Sequence, residues 1–423
     1  MRKILKIILI IIILNFSLFI DVYADDIDEN EEAEVISQEE ISEVANNIEA
    51  NPITNSRKCI IYDRTTKMVL YGKNEMVKCP MASTTKIMSC LVVLENVENL
   101  NKTVEVTSKA AGTGGSRLKL SKGDKITIHD LLYGLMLRSG NDAAVALAIE
   151  VGGSIEGFAE LMNKKALELG LTHTHFVTPH GLDNNEHYTT AYELALLTDY
   201  ALNNEIFAKI VGTKTYTITV NGIPRTINNT NELLGSLNGV VGVKTGFTNG
   251  AGRCLVTETK RGDSDLITIV LGADTKKDRT KDSIKLIEYA FSNFAKINIK
   301  EKALEEFENW KNINISRFNI VKGKNNKIEL GLSEFDKEYI TVKETDIDKI
   351  EFLINTITTM EAPVKKGTQI GTLVVKLNEE IIETVDILCN KTLERKDWKD
   401  YFRINIGNCR TIIQDLFAIW LTF

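Results

Sequence analysis

The sequence lacks the cysteine and histidine patterns that hold zinc or build a disulfide framework. Its six cysteines are scattered without a repeated spacing, and neither Cys-x-x-Cys nor His-Glu-x-x-His occurs. Regular cysteine spacing is what predicts disulfides in an exported chain, whereas a thiol in an apolar stretch behaves as a small hydrophobe. We therefore predict that most cysteines are unpaired core residues and that the chain needs neither a metal nor another cofactor.

The chain also lacks a strong net charge outside its N-terminal segment. The formal net charge is -7, and residues 25–50 hold eleven Asp and Glu with no Lys or Arg. The rest of the chain is nearly neutral, so composition gives no support for a nucleic-acid partner. The acidic segment has few large apolar residues and cannot bury enough surface to fold alone, so we predict a disordered spacer over residues 25–56.

An apolar run occurs at the N-terminus. Arg2, Lys3 and Lys6 accompany the run Ile7 to Leu14, and a small residue, Ala24, stands at the expected cleavage position. This order of basic, apolar and small residues predicts a secretory signal peptide over residues 1–24, with an uncleaved membrane anchor as the alternative. The mature protein is thus expected to work outside the cytoplasm.

A nucleophile pattern stands at Ser83-Thr84-Thr85-Lys86. It follows Pro80 and leads into a run in which Ile87, Leu91 and Leu94 recur at helical spacing, so Ser83 should lie in the first turn of a buried helix. Free backbone N–H groups and the positive end of the helix dipole suit an oxyanion there. The lysine comes up on the same face three residues later. Alone, however, this pattern also fits an N-cap serine beside a solvated lysine.

Two further motifs follow in the chain. Ser139-Gly140-Asn141 lies between the helical patterns Ile128 to Leu137 and Ala143 to Val151, which predicts a tight corner that projects two polar side chains. Lys244-Thr245-Gly246 ends the alternating run Gly239 to Val243, a strand pattern. Together with the first motif they form the Ser-x-x-Lys, Ser-x-Asn and Lys-Thr-Gly set of penicillin-binding proteins and class A β-lactamases.

The elements around these motifs predict an α+β domain over residues 57–296. Two short β-rich runs read as a hairpin before the Ser83 helix, and helical patterns fill much of residues 126–202. Strand patterns recur over residues 214–272, and a helix closes the domain. A helical block inserted into an antiparallel sheet is an α+β architecture.

The domain resembles the low-molecular-weight penicillin-binding proteins, specifically the D-alanyl-D-alanine carboxypeptidases of serine peptidase family S11. Besides the three motifs, Phe176–Leu182, Lys244–Gly252 and Asp278-Arg279 resemble the family's pattern. The resemblance implies a β-lactamase/transpeptidase-like catalytic domain and then a small β-rich domain, which short strand patterns over residues 297–390 fit. It also implies peptidoglycan stem peptides as substrates and β-lactams as covalent inhibitors.

Residue types suggest roles in that reaction. Ser83 would become acylated as the terminal D-alanine leaves. Lys86 would accept the serine proton, and burial beside a second ammonium on Lys244 would lower its pKa toward the neutral form. Ser139 would relay a proton to the leaving amine, and Asn141 would hold the substrate amide or Lys86 through its paired donor and acceptor.

The remaining residues would bind the substrate. Lys244 and Thr245 would bind its terminal carboxylate, and Gly246 would let its backbone approach the strand. By resemblance to the family, the backbone N–H groups of Ser83 and Phe247 would hold the oxyanion. Phe247 stands where many relatives have histidine, which makes the carboxylate's surroundings less polar and bears on rate or preferred substrate.

Three other functions are open on this pattern. A class A β-lactamase would use a glutamate in Glu-x-x-Leu-Asn, but no such motif lies between Asn141 and Lys244, and a C-terminal domain would be unexplained. A non-catalytic penicillin-binding or wall-binding receptor would keep the same three motifs. A DD-endopeptidase is the third, because the sequence does not reveal how much space lies beyond the leaving group.

The C-terminal tail, residues 391–423, ends in an amphipathic pattern. Ile413, Leu416, Phe417 and Trp420 fall on one helical face of the last thirteen residues. Such a helix reaches only about 20 Å, against a hydrocarbon core of roughly 30 Å. We expect it to lie as an anchor in the outer face of the cytoplasmic membrane, with a helix packed on the protein as the alternative.

Overall fold

The computed structural model describes residues 36–48, 51–325 and 327–420. The predicted signal peptide and the first part of the predicted spacer lie outside these residues. The chain divides into two compact units, residues 1–292 and 293–423. The first unit holds all three sequence motifs.

The first unit is built on a five-stranded antiparallel sheet. The strands of its described part are, in chain order, β1 (Lys58–Asp63), β2 (Met68–Lys73), β3 (Thr103–Glu105), β4 (Lys125–Thr127), β5 (Thr215–Val220), β6 (Ile223–Asn228), β7 (Val240–Thr248), β8 (Gly252–Arg261) and β9 (Ser264–Ala273). The main sheet has the order β2-β1-β9-β8-β7. The strand patterns over residues 214–272 predicted β5 and β6 among the strands of the antiparallel sheet. This expectation is wrong, because they pair only with each other as a separate hairpin.

Helices enclose the main sheet. Every residue from Leu266 to Ala273 in β9 is buried, and successive strand side chains point to opposite faces, so both faces are covered there. Besides Gln38–Asn46, the helices in the described part of this unit are Lys86–Asn96, Ser108–Ala111, Ile128–Leu137, Asn141–Gly152, Ile155–Glu168, Ala191–Leu202, Glu205–Val211 and Lys276–Asn293. This arrangement confirms the predicted α+β fold.

All six cysteines are free, and all except Cys409 are buried. Cys90 and Cys254 lie in the same apolar core as the helices and the sheet. Burial raises the pKa of Cys254 to about 12, so the thiol is uncharged at neutral pH. The prediction of unpaired core cysteines is confirmed.

The prediction of a disordered acidic spacer is wrong for its second half. Gln38–Asn46 is a helix that begins with a capping box, in which Ser37 accepts from the N–H of Glu40 and Glu40 accepts in return. Ile41 is buried in an apolar cluster, and Glu40 lies 2.6 Å from Lys277. The segment lacks a core of its own but docks on apolar surface of the first unit. The cluster also contains Ile36, Leu233, Leu237, Val240, Leu255, Ile284 and Ile287.

The second unit is β-rich, as predicted. It begins with β10 (Phe294–Asn298) and the helix Ile299–Asn314, followed by β11 (Asn319–Val321), β12 (Leu330–Leu332), β13 (Tyr339–Lys343), β14 (Ile350–Thr356), β15 (Thr359–Glu361), β16 (Gln369–Leu377) and β17 (Glu380–Cys389). Four strands form an antiparallel sheet in the order β12-β17-β16-β14, and β10 pairs with β13 and β11 with β15.

The C-terminal helix, Trp398–Trp420, is longer than the sequence pattern indicated. Asp397 explains its start, because its side chain accepts from the N–H of Asp400 and the Asp400 carboxylate accepts from the N–H of Asp397. None of the helices in the described residues combines the length and apolar character needed to cross a membrane.

Candidate active site

The hydroxyl of Ser83 and the amine of Lys86 meet at the start of a helix. Ala82–Thr85 is a 3-10 turn that continues directly into the helix Lys86–Asn96. Side chains three residues apart eclipse in a 3-10 turn, and Lys86 Nζ lies 2.7 Å from Ser83 Oγ. Ser83 is 4% exposed and Lys86 is fully buried. A proton can therefore pass directly between these two atoms.

Three acceptors surround the Lys86 amine. It donates to Ser83 Oγ, to Asn141 Oδ1 at 2.7 Å and to the His180 carbonyl at 2.9 Å. An ammonium has three N–H donors, so these acceptors stabilise the charged form, whereas burial disfavours it. Once the amine loses one proton, its lone pair can accept the serine proton across the same contact. The geometry suits an amine that alternates between donor and base.

The Ser139–Asn141 corner presents its amide to that lysine. Ser139 is buried and has a φ of 61°, a left-handed conformation that costs free energy for a non-glycine residue. Asn141 is the first residue of the next helix and is held by two bonds to an adjacent loop, from Nδ2 to the Gly114 carbonyl at 2.9 Å and from its N–H to the Ser116 carbonyl at 2.7 Å. These bonds fix Asn141 Oδ1 toward the lysine.

Asp142 supports the same corner, a role that the sequence reasoning missed. Its buried carboxylate accepts the N–H of Leu118 at 2.9 Å and the N–H of Leu120 at 3.0 Å. The loop that holds Asn141 is thereby tied to the start of the Asn141 helix. The acidic residue directly after the motif is the only local indication, and its partners more than twenty residues away in sequence could not be read from it.

Strand β7 brings the third motif against Ser83. A Cβ added at Gly246 would lie 3.0 Å from the Ser83 backbone nitrogen, so the glycine permits a close approach of the two backbones. Thr245 Oγ1 lies 2.6 Å from Thr230 Oγ1. Lys244 is 1% exposed and its Nζ donates to the Thr245 carbonyl at 2.8 Å.

Phe247 follows on the same strand. The Arg253 guanidinium stacks over its ring at 3.9 Å from the centroid, a cation–π contact, and the two residues pair across β7 and β8. A cationic side chain thus stands directly beside the Phe247 ring.

A buried histidine stabilises the Ser83 turn, which the sequence reasoning did not foresee. His187 Nδ1 accepts the N–H of Val177 at 2.9 Å, so its ring proton must be on Nε2, which lies 2.8 Å from Thr85 Oγ1. Thr85 in turn donates to the Ala82 carbonyl at 2.8 Å. Burial lowers the pKa of His187 to about 4, so the ring is neutral at pH 7 and donates to Thr85.

His180 and Gly181 pack against Lys86 and the Ser83 turn. Burial, then the charge of Lys86, lowers the pKa of His180 to about 3, while its carbonyl accepts from Lys86. Gly181 has a φ of 90°, and a Cβ there would come within 1.9 Å of the Ala82 carbonyl oxygen. The Phe176–Leu182 stretch therefore packs directly against the nucleophile turn.

Asp183 ties this loop to the end of β7. Its carboxylate accepts from Thr248 Oγ1 at 2.6 Å and from the N–H of Gly250 at 2.8 Å. The carboxylate thus fixes the loop to the chain beyond the Lys-Thr-Gly motif.

The buried imidazole of His187 predicts a pH effect on stability. Its pKa in the folded chain is lowered from 6.5 to about 4, so on acidification the unfolded chain binds a proton before the folded chain does. The contribution of this group to the free energy of unfolding is therefore fully present above pH 6.5 and is lost as the pH drops toward 4. On acidification, we expect the free energy of unfolding of His187→Gln to fall by about 3 kcal/mol less than that of wild type. Urea unfolding of wild type and variant at pH 7 and pH 4.5 measures the difference.

The exposed His173 provides the control for that experiment. His173→Gln should leave the pH dependence of the urea midpoint as in wild type. If His187→Gln loses as much stability on acidification as wild type does, the imidazole is not the buried neutral group described above.

Comparison with known proteins identifies the family. A family model described as D-alanyl-D-alanine carboxypeptidase, peptidase S11, matches residues 45–275. The chain belongs to this family. A second model, the C-terminal domain of penicillin-binding protein 5, matches residues 311–395. These matches confirm the resemblance drawn from the three motifs.

Individual relatives agree with this assignment. The D-alanyl-D-alanine carboxypeptidase DacF of Bacillus subtilis is 32% identical over 358 residues, which cover 84% of this chain and 90% of DacF. DacC of Escherichia coli is 34% identical and covers 80% of this chain, with 84% of DacC aligned. The crystal structure of DacD from Francisella tularensis superposes with a TM-score of 0.65 at 25% identity, covering 82% of this chain and 96% of that one.

Proposed function

We propose that this protein is a serine-type D-alanyl-D-alanine carboxypeptidase that removes the terminal D-alanine from peptidoglycan pentapeptide stems through an acyl-enzyme on Ser83. The contact of 2.7 Å between Lys86 Nζ and Ser83 Oγ carries the proposal, because it supplies both a nucleophile and its base. Family membership and relatives that bear this activity in their names support it. Penicillin inhibits the protein by acylating the same hydroxyl.

The reaction proceeds through two acyl transfers. Lys86 takes the Ser83 proton as Oγ bonds to the carbonyl carbon of the penultimate alanine, and the carbonyl electron pair moves to oxygen. The backbone N–H groups of Ser83 and Phe247 stabilise this oxyanion. The C–N bond then breaks, and the departing D-alanine amine takes a proton through Ser139. Water attacks the resulting ester in the same way and regenerates the serine.

Three polar groups orient the substrate for this attack. Lys244 and Thr245 pair with the terminal carboxylate, and Asn141 holds Lys86 while its amide remains close to the substrate peptide. Gly246 lets the substrate backbone lie against β7, as its close approach to the Ser83 nitrogen indicates. The attacked carbonyl is thereby brought over the serine hydroxyl.

Digestion of isolated peptidoglycan by the purified full chain tests the activity. We expect mass spectrometry to show the loss of one alanine per stem. Release of crosslinked fragments instead would indicate a DD-endopeptidase. Labelling by penicillin without any turnover of stem peptides would indicate a receptor.

Lys244→Ala is expected to damage turnover of a free-acid peptide far more than turnover of the same peptide amidated at its C-terminus. Only the free acid offers a charge to pair, and a charge-assisted hydrogen bond of this kind is worth on the order of tenfold or more in kcat/KM. Steady-state rates on the two peptides measure the difference. Equal losses on both would make Lys244 a group that tunes Lys86.

We also propose that the protein acts outside the cytoplasm and is held at the outer face of the cytoplasmic membrane by its C-terminal helix. Exposed apolar side chains recur along one face of the helix at Trp398, Phe402, Ile406 and Ile413, the spacing of an interfacial helix. Near one edge of this face, basic residues suit anionic lipid. They are Lys399, Arg403 and Arg410.

Truncation tests the anchor. A chain that ends at Asp397 should fold and bind penicillin but leave the membrane fraction, because Lys396 and residues before it make the last backbone contacts to the second unit, such as Lys396 N–H to the Lys322 carbonyl at 2.8 Å. Flotation with anionic vesicles measures the change.

Two matched substitutions sharpen this test. Ile406→Asp introduces a charge on the apolar face and should weaken vesicle binding about as much as truncation. Thr411→Asp introduces the same charge on the polar face and should have little effect. Equal binding by both variants, or continued membrane association of the truncated chain, contradicts the anchor.

A further inference from the structure

A cavity with four basic side chains lies beside the Ser139–Asn141 corner. Its volume is about 370 Å³, within the range of small-molecule sites. Arg117, Lys119, Arg138 and Arg225 line it, and none of its lining residues is acidic. The others are Leu118, Ile218, Thr226, Ile227 and Asn228.

These four cations have no partners in the described part of the chain. None of them takes part in an ion pair or side-chain hydrogen bond there. Four other arginines of the first unit form ion pairs, as Arg261 does with Glu288 at 2.6 Å. Like charges that converge without counter-charges repel one another, so a bound anion would relieve an unfavourable arrangement.

The cavity is connected to the active site through shared residues. Arg138 directly precedes Ser139 in the chain. Leu118 forms part of the cavity wall, and a Cβ at Gly140 would lie 3.1 Å from it. The same leucine is fixed by Asp142 through its N–H. Any group in the cavity therefore lies next to the corner that holds Lys86.

The β5–β6 hairpin forms another wall and leads to the third motif. Arg225 lies in β6, which ends at Asn228, and Thr230 follows with its hydroxyl 2.6 Å from Thr245. The Thr230 N–H donates to the Leu137 carbonyl at 3.2 Å. The cavity is thus bounded by the same segments that support both the Ser-x-Asn and the Lys-Thr-Gly motifs.

We propose that this cavity binds a side-chain carboxylate of the stem peptide upstream of the two terminal alanines. The inference rests on the proposed function, in which Lys244 and Thr245 already bind the C-terminal carboxylate. A second carboxylate on the same peptide then binds the cavity arginines, whose guanidinium groups can each donate two parallel hydrogen bonds to a carboxylate. The positive charge of the cavity would favour stem peptides in which this side chain is a free acid over those in which it is amidated.

Two synthetic pentapeptides test the selection. They end in D-alanyl-D-alanine and differ only in whether an acidic residue upstream is free or amidated. We expect the wild-type full chain to prefer the free acid. The double variant Arg138→Gln/Arg225→Gln should lower this preference in kcat/KM by about tenfold per arginine, mainly through KM, so that the two peptides become nearly equal.

A matched variant and a separate readout complete the design. Arg317→Gln removes an exposed arginine of the second unit and should leave the preference unchanged. Penicillin labelling of wild type reports on Ser83 alone, so a wild type that is not labelled contradicts the proposed function instead. Wild-type turnover of both peptides at equal rates overturns the cavity proposal. The cavity proposal is also overturned if the double variant keeps the wild-type preference between the two peptides and differs from wild type only in binding phosphate-rich wall polymer.

Discussion

Ser83→Ala is expected to abolish both covalent labelling by penicillin and release of D-alanine from stem peptides, while the chain stays folded. The substitution removes the nucleophilic oxygen that lies 2.7 Å from Lys86 Nζ. It costs one hydrogen bond, worth about 1 kcal/mol, which is small against the stability of a domain of this size. Intact-protein mass measurement should show a penicillin adduct on wild type and none on the variant.

Ser89→Ala is the matched control for this result. Ser89 lies in the helix that follows the Ser83 turn, is also buried and donates to the Pro179 carbonyl at 2.6 Å, so the substitution likewise removes one buried hydroxyl but leaves the Ser83–Lys86 contact intact. This variant should be labelled like wild type. A tryptic adduct on any serine other than Ser83, or labelling of Ser83→Ala, would overturn the assignment.

Local patterns in the sequence predicted the elements that carry the motifs. The recurrence of Ile87 and Leu91 indicated a buried helix, and the structure has a helix at Lys86–Asn96. Alternation before Lys244 indicated a strand, which the structure has as β7. Such features can be read because the periodicity of a helix or strand depends on neighbouring residues alone.

The support around the motifs could not be read in this way. Thr85 and His187 are 102 residues apart, and Thr248 and Asp183 are 65 apart. Their hydrogen bonds depend on how the chain folds back on itself. His187 lies in a stretch of Thr, Pro, Gly and Asn that indicates only a loop, so its hydrogen bond to Thr85 could not be predicted from the sequence.

The acidic segment shows a different limit of sequence reasoning. Composition predicted that Gln38–Asn46 could not fold alone, but it does not reveal an apolar surface elsewhere in the unit that receives Ile41. The Ser-x-x-Glu pattern of Ser37 and Glu40 was the local indication of a helix start. Charge composition therefore did not predict this docking.

Lys86→Met is expected to slow acylation of Ser83 by about a thousandfold, within the range for loss of a general base. Methionine keeps much of the buried volume, but Asn141 Oδ1 and the His180 carbonyl lose their donor. Each buried acceptor left unsatisfied costs about 1–3 kcal/mol, so some loss of stability is expected beside the loss of rate. Stopped-flow measurement of penicillin acylation gives the rate, and urea unfolding gives the stability.

The pH profile distinguishes a base from a merely structural lysine. In wild type the acylation rate should rise with pH as the Lys86 ammonium loses its proton, because only the neutral amine can accept the serine proton. In Lys86→Met this rise should disappear, and a small added amine should restore part of the rate. Lys86→Arg provides the matched charged variant, since it keeps a cation at the site but stays protonated, and it should be as slow as Lys86→Met. An unchanged pH profile in Lys86→Met, or a near-normal rate in Lys86→Arg, would show that another group takes the proton from Ser83.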